Sequence, residues 1–305
     1  MPAEDMRPIT IAVSTGDPLG IGPEISRAAL AQAPAGVRIE TFGTLDTWPC
    51  DAPRAARADA GRASWDALSA AIDAVKRGEC DALVTAPISK EAWHAAGVTR
   101  HPGHTEVLAE AFASGRSGML FVGPRLKVML ATIHVPLGQV PALLTRDTVG
   151  RAIELAHEAC LAMGSGRPRI AVAGLNPHAG EHGLLGPEDD AVIRPAVEHA
   201  AAARIDATGP WPGDTVFGRA LKGEFDAVVA MYHDQGLIPV KLIDGAKSVN
   251  VTVGLEWNGR RVVRTSPAHG TAFDIAGQGK ADATSMVEAV ELAVRMLRGG
   301  GEARA

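Results

Sequence analysis

The sequence predicts an α/β protein with largely parallel sheets. Three observations carry that expectation: short apolar runs recur along the chain, Gly- and Pro-rich turns follow them, and segments with helical apolar spacing follow the turns. Strands that alternate with helices in this way bury both faces of a parallel sheet.

Taken in order, Ile9–Val13 is the first expected strand and Gly22–Ala33 the helix after it. Asp51–Ala63, rich in Ala, Arg and Asp, reads as a solvent-facing connection, either a surface loop or an irregular helix. Ser64 is placed to cap a helix over Trp65–Arg77, whose Trp65, Leu68, Ile72 and Val75 share one face. Ala82–Thr85 is the next strand, and a helix opens at Glu106–Phe112. Met119–Val122 and Leu126–Ile133 are expected strands, Thr148–Met163 a helix, Ile170–Leu175 a strand and Asp189–Ala203 a helix. Ala227–Met231, Val249–Val253 and Arg261–Thr265 read as strands, and Ala283–Leu297 as a closing helix.

The 305 residues allow one large domain or two ordinary ones. Apolar residues at 46% and charged residues at 21% suffice for a sizeable core. A formal charge of −5 argues against a nucleic-acid or anionic-membrane surface. No secretory signal or membrane span is read, because the run Ile9–Val13 is too short and Met1–Pro8 carries Glu4, Asp5 and Arg7. Cys50, Cys80 and Cys160 are scattered and form no CxxC pair, so a reducing cytoplasm is expected.

His134, His178 and His233 each follow an apolar run and precede a Pro or Gly within a few residues. Each should therefore stand past the C-terminal end of a strand, the edge where open α/β sheets bind ligands. Neutral imidazoles from three such loops would suit zinc or a similar divalent ion and leave a coordination position open. Any one of them alone reads better as a strand cap or a partner to a loop carbonyl, and only the shared position tilts the trio towards a ligand role. His94, His101, His157, His182 and His199 lack this placement.

Ser14–Glu24 is glycine-rich but matches neither a Walker A loop nor GxGxxG, and a purely structural turn is an equal reading. Gly103-His104-Thr105-Glu106 places a Thr at a helix start, as an N-cap or as part of an anion site. Lys241, Asn250 and Arg264 offer two cations and an amide, and His269–Gly277 is a loop able to wrap a nucleotide or simply to pack before the last helix.

Together, Gly16–Glu24, Gly103–Glu106, Asn176–Glu181, Tyr232–Gly236 and Arg264–Pro267 resemble, in order and along the whole chain, the 4-hydroxythreonine-4-phosphate dehydrogenase family. The loop His269–Gly277 is similar to the adenosine-binding loop of isopropylmalate and isocitrate dehydrogenases. The resemblance implies two α/β/α domains of the isopropylmalate dehydrogenase type with an active-site cleft between them, residues 1–125 with 264–305 forming one and 126–263 the other. It implies a homodimer with a shared active site, using NAD and one divalent ion, zinc or alternatively Mg, Co or Mn. The implied reaction oxidises a phosphorylated β-hydroxy amino acid, 4-phosphooxy-L-threonine, in pyridoxal phosphate biosynthesis, and the keto acid then loses carbon dioxide.

On this resemblance the metal ligands fall on His134, His178 and His233, and substrate binding falls on His104, Thr105, Lys241, Asn250 and Arg264. His269, Gly270, Thr271 and Asp274 would hold the cofactor, the acid at 274 favouring NAD over NADP. Asp214 and Asp234 are candidates for orienting the residues that bind the ion or for proton transfer. The chain departs from the family pattern at Glu256–Arg261, at Ala268 and in a shortened Thr44–Ala63, and Asn258-Gly259 signals a hairpin. Those departures leave open a paralogue acting on threonate or erythronate 4-phosphate. A non-enzymatic metal- or nucleotide-binding protein is the remaining alternative.

Overall fold

The computed structural model describes residues 7–49, 54–101, 103–112 and 115–299. Its elements in chain order begin with β1 (Ile9–Ser14), α1 (Gly22–Ala31), β2 (Val37–Phe42), α2 (Arg54–Lys76), β3 (Ala82–Thr85), α3 (Lys90–Ala95) and α4 (His104–Ala111). Then come β4 (Gly118–Val122), β5 (Lys127–Leu130), α5 (Val140–Leu143), α6 (Arg146–Ala162), β6 (Arg169–Ala173), α7 (Arg194–Ala202), β7 (Asp206–Trp211), α8 (Gly213–Leu221), β8 (Ala227–Ala230) and α9 (His233–Asp244). The chain closes with β9 (Val249–Val253), β10 (Glu256–Trp257), β11 (Arg260–Arg261), β12 (Val263–Pro267) and α10 (Thr284–Gly299). Strands alternate with helices and pair mostly in parallel, as the apolar runs predict. No described helix is long and apolar enough to cross a membrane.

Two compact units emerge. One contains the described residues up to Gly115 together with Leu255–Leu297, and the other is built on Arg116–Gly254. In the first unit the strand order is β2-β1-β3-β12, with β1 parallel to β2 and β3, and β3 parallel to β12. In the second the order is β9-β4-β5-β8-β6-β7, where β4 runs antiparallel to β5 and β9 and the rest are parallel.

The strands are short, and β1, β3, β4, β5, β6, β8, β9 and β12 are largely buried, whereas β2, β7, β10 and β11 are partly exposed. Val84, Val128, Val172 and Val229 are 0% exposed, and each such side chain contributes about 1.5–3 kcal/mol by leaving water. Helix α6 starts where the Thr145 hydroxyl accepts the Thr148 amide (3.1 Å), and buries Val149, Ile153, Ala156 and Cys160 along one stripe. Burial pushes the Cys80 and Cys160 thiols up to about 11, which makes both poor nucleophiles. Cys50 lies outside the described residues.

Several expectations change in detail. Helix α2 begins at Arg54, so the described part of the expected connection Asp51–Ala63 is helical and Ser64 lies mid-helix rather than at a cap. The Ser64 hydroxyl instead donates to the Gly61 carbonyl (3.0 Å) and accepts from the Trp93 indole (2.9 Å). Gly61 allows this approach, since a Cβ there would fall 2.0 Å from the Ala92 carbonyl oxygen. The expected helix Asp189–Ala203 opens with a π-helical turn, Asp189–Ile193. The sequence does not predict strands β2 and β7 or helices α3, α5, α8 and α9. Helix α9 carries Gly236 and Pro239, which argue against a helix by propensity. Packing overrides them: a Cβ at Gly236 would meet Leu130 at 2.7 Å and Val128 at 2.9 Å, so only glycine lets α9 lie on β5.

Candidate functional site

Within the second unit, β5, β8 and β6 are adjacent and parallel, so their C-terminal ends form one edge. His134, His233 and His178 follow those three ends, where the sequence placed them. Pairing continues past the strands, because Thr132 donates its backbone N–H (3.2 Å) and its hydroxyl (2.7 Å) to the Met231 carbonyl. That register carries both chains to their histidines side by side, with the His134 and His233 ring centroids 5.6 Å apart.

Two imidazoles sharing one tetrahedral ion, with Zn–N near 2.1 Å, hold their ring centroids roughly 5 Å apart. The observed pair fits that spacing and offers the neutral nitrogen donors zinc prefers. His233 Nδ1 is bonded to Asp234 Oδ1 (2.6 Å), an outer contact that orients the ring and leaves Nε2 for a ligand. His178 is not drawn into the pair. Among the described residues no three His, Cys, Asp or Glu side chains stand close enough together to hold an ion.

His134 has φ +38° and His178 φ +53°, both in the left-handed region. The second case extends over five residues, His178 to His182, including the non-glycine Ala179 (φ +54°), Glu181 (φ +44°) and His182 (φ +56°). Left-handed backbone costs a non-glycine residue about 1–2 kcal/mol, and such outliers persist only where their surroundings impose them. The segment leading into this run is anchored by Asp189, which is 0% exposed. Its carboxylate accepts the amides of Leu175 (2.8 Å) and Asn176 (3.0 Å) and the Asn176 side-chain amide (2.9 Å).

Gln235 ties the same edge from the other side. Its oxygen accepts the Met231 amide (2.6 Å) and its nitrogen donates to the Gly174 carbonyl (2.8 Å), joining the ends of β8 and β6. Neither Asp189 nor Gln235 was singled out from the sequence. Gln235 sits inside the quoted run Tyr232–Gly236, but only the tertiary structure gives its amide two partners.

The other predicted residues of this unit are distributed along the same elements. Asp214 is exposed in the first turn of α8, which follows β7 beside β6. Lys241 is exposed two turns along α9 from His233. Asn250 lies in β9 with its side-chain oxygen buried and without a hydrogen-bond partner.

In the first unit, Arg264 in β12 is 2% exposed and donates to the Thr85 hydroxyl (2.6 Å) in the adjacent β3. Burial pulls its pKa down to about 9, still charged at neutral pH. His104 and Thr105 open α4, capped by Gly103 rather than by the threonine, so the first-turn N–H groups face outward from the helix start. Burial, and secondarily the Arg264 charge, hold the His104 pKa well below its ordinary value, so the ring is neutral. Its Nε2 is buried without a hydrogen-bond partner, and the ring packs edge-on against Trp93 at 5.7 Å. A buried guanidinium, a neutral imidazole and a helix N-terminus are groups of the kind that bind anions.

The loop after β12 carries the remaining predicted residues. His269 bonds the Gly270 carbonyl (3.1 Å), and the Thr271 carbonyl accepts the Ile21 amide (2.9 Å). Gly20 permits that contact, because a Cβ there would stand 2.8 Å from the Thr271 oxygen. The Gly277 amide donates to Glu24 (3.2 Å), so the loop docks on the glycine-rich turn at the start of α1. Asp274 is exposed, and its carboxylate engages in no ion pair among the described residues.

Architecture and site define an α/β protein with histidines along one sheet edge and a buried arginine near the start of a helix. A family model described as the pyridoxal phosphate biosynthetic protein PdxA matches residues 23–293, and the chain belongs to that family. A 4-hydroxythreonine-4-phosphate dehydrogenase of Beijerinckia indica is 43% identical, covering 94% of each chain. A D-threonate 4-phosphate dehydrogenase of Pectobacterium atrosepticum is 39% identical over 94% of this chain and 98% of its own. The crystal structure of a 4-hydroxythreonine-4-phosphate dehydrogenase from Klebsiella pneumoniae superposes with a TM-score of 0.80 at 36% identity, over 95% and 99% of the two chains. A β-decarboxylating dehydrogenase from Thermococcus kodakarensis shares the fold alone, with a TM-score of 0.55 at 16% identity over 96% and 84%.

Proposed function

We propose that this chain oxidises the secondary alcohol of 4-phosphooxy-L-threonine with NAD and one divalent metal ion, in the synthesis of pyridoxal phosphate, and that the keto acid formed loses carbon dioxide. One observation carries the reading: three adjacent parallel strands deliver His134, His233 and His178 to one edge, and two of the rings stand at the spacing of a shared ion. Names of relatives at about 40% identity support the dehydrogenase chemistry.

His134, His178 and His233 would hold the ion, zinc by donor chemistry and otherwise Mg, Co or Mn. When bound, it supplies Lewis acidity to a substrate oxygen that gains negative charge. The protein's own groups do the rest. Arg264, His104 and Thr105 bind the phosphate or carboxylate, and burial strengthens the charge-assisted bonds. Lys241 and the Asn250 amide hold a second polar end of the substrate. Asp234 keeps the His233 ring oriented, and it and Asp214 accept or return protons. His269, Gly270 and Thr271 flank the cofactor, while Asp274 bonds ribose hydroxyls and repels a 2′-phosphate.

The working form is a homodimer in a reducing cytoplasm. Ile238 (65% exposed) and Leu242 (80% exposed) stand one turn apart on α9, with Lys241 between them in sequence. An apolar stripe of that size on the helix that begins at His233 suits burial against a second copy.

The deciding experiment is the initial rate of NAD reduction by metal-loaded protein with 4-phosphooxy-L-threonine, D-threonate 4-phosphate and D-erythronate 4-phosphate. Preference for the amino acid supports the proposal. Preference for D-threonate 4-phosphate supports the second reading, which the Pectobacterium relative favours. Silence across the panel with metal bound overturns the enzymatic reading and leaves a binding protein. His233→Ala should lower metal-dependent turnover at least a hundredfold while the protein stays folded, and full activity would remove the metal assignment.

A further inference from the structure

The hairpin β10–β11 lines a cavity of about 420 Å³ within the first unit. The opposite wall is the end of α2 with Cys80 and Asp81, and Arg7 closes one side. The lining holds Arg7, Lys76, Arg77, Arg260 and Arg261 against a single carboxylate, Asp81. In a chain with 30 basic and 35 acidic residues, this is a local reversal of charge.

Some of these cations are already engaged. Arg7 pairs with Asp81, Arg77 with Glu79 (2.8 Å), and Arg261 donates to the Met296 carbonyl (3.1 Å). Lys76 and Arg260 are different: neither has a carboxylate within ion-pair distance among the described residues. They also converge. The hairpin register sets Trp257 directly opposite Arg260, so both leave the same face. Lys76 Nζ lies 4.6 Å from the Trp257 ring centroid.

Helix C-termini attract cations, which accounts for Lys76 and Arg77 at the end of α2. It does not account for Arg260, which belongs to another element. The last carbonyls of α2 are capped as well, since the Glu79 and Cys80 amides both donate to Ala74 and the Gly78 amide to Val75. They add little repulsion to an incoming anion.

We propose that this cavity is a second anion-binding site, distinct in its residues from the His104–Arg264 site, and that it takes a small molecule bearing at least two phosphate charges. Lys76 and Arg260 grip the phosphates, the guanidinium through paired N–H bonds, and the Trp257 ring forms the apolar floor. A volume of about 420 Å³ is within the range of small-ligand sites.

The probe is pyrophosphate, titrated into the full-length protein by calorimetry and by tryptophan fluorescence. Binding should perturb the emission in the wild type, and Trp257→Phe should remove that signal while the heat remains. Arg260→Glu should weaken the site at least tenfold, Arg260→Lys, which keeps the charge but loses the paired N–H bonds, by a smaller factor of about three to ten, and both should leave the dehydrogenase rate unchanged. Arg260 is exposed, so neither change threatens folding. Equal affinity in the wild type and Arg260→Glu would assign all pyrophosphate binding to the His104–Arg264 site and overturn the proposal. So would a wild-type titration without heat.

Discussion

The Asp189 clamp is open to a quantitative test. Four non-glycine residues, His178, Ala179, Glu181 and His182, sit in left-handed backbone, at a cost of about 4–8 kcal/mol in total. The Asp189 carboxylate receives three bonds of 2.8–3.0 Å in a buried setting, each contributing about 1.5–3 kcal/mol. The two sums are of similar size, so the clamp roughly offsets the strain. Asp189→Asn keeps the shape but turns one acceptor oxygen into a donor facing an amide. It should lose one bond and weaken the others, about 3 kcal/mol together. Local opening would then rise about a hundredfold, read directly as faster hydrogen exchange at the amides of Leu175 and Asn176. Zinc affinity should fall with it, because the segment leading to His178 loses its anchor. Unchanged exchange at both amides would refute the clamp. Faster exchange with unchanged zinc affinity would mean that the clamp holds the loop but that His178 takes no part in metal binding.

Three further outcomes are expected. His104 is neutral in the fold because burial lowers its pKa; the unfolded chain binds the extra proton, so stability declines as pH falls through about 6.5. His104→Gln should flatten that slope in acid urea titrations, by up to about 1.4 kcal/mol per pH unit. Ile238→Asp with Leu242→Asp should shift the protein to monomer in analytical ultracentrifugation at micromolar concentration, and an unchanged dimer would place the interface elsewhere. Asp274→Ser should narrow the preference for NAD over NADP about tenfold in kcat/KM, while a constant ratio would locate the ribose contact on another residue.

Much of this molecule is legible in its sequence because the signals are local. Val249–Val253 and Ala82–Thr85 are apolar runs that have no stable place except a buried strand. Asn258-Gly259 supplies the two positive φ angles, +49° and +72°, that a tight hairpin needs. The positions of His134, His178 and His233 after strand ends follow from similar runs at β5, β6 and β8.

Tertiary structure decided what depends on partners distant in sequence. That β5, β8 and β6 are neighbours, and hence that His134 meets His233, is a matter of strand order, which no local pattern encodes. Helix α9 forms despite Gly236 and Pro239 because burying Leu237 and Val240 outweighs propensity. Ser64 looked like a cap until Trp93, 29 residues away, claimed its hydroxyl. The Asp189 anchor ahead of His178 and the cationic cavity under the hairpin likewise depend on Asp189, Lys76 and Arg260 meeting other elements. Burial and strand order set those meetings, and with them the pKa of His104 and Arg264, whereas residue type alone had set only which groups were available to meet.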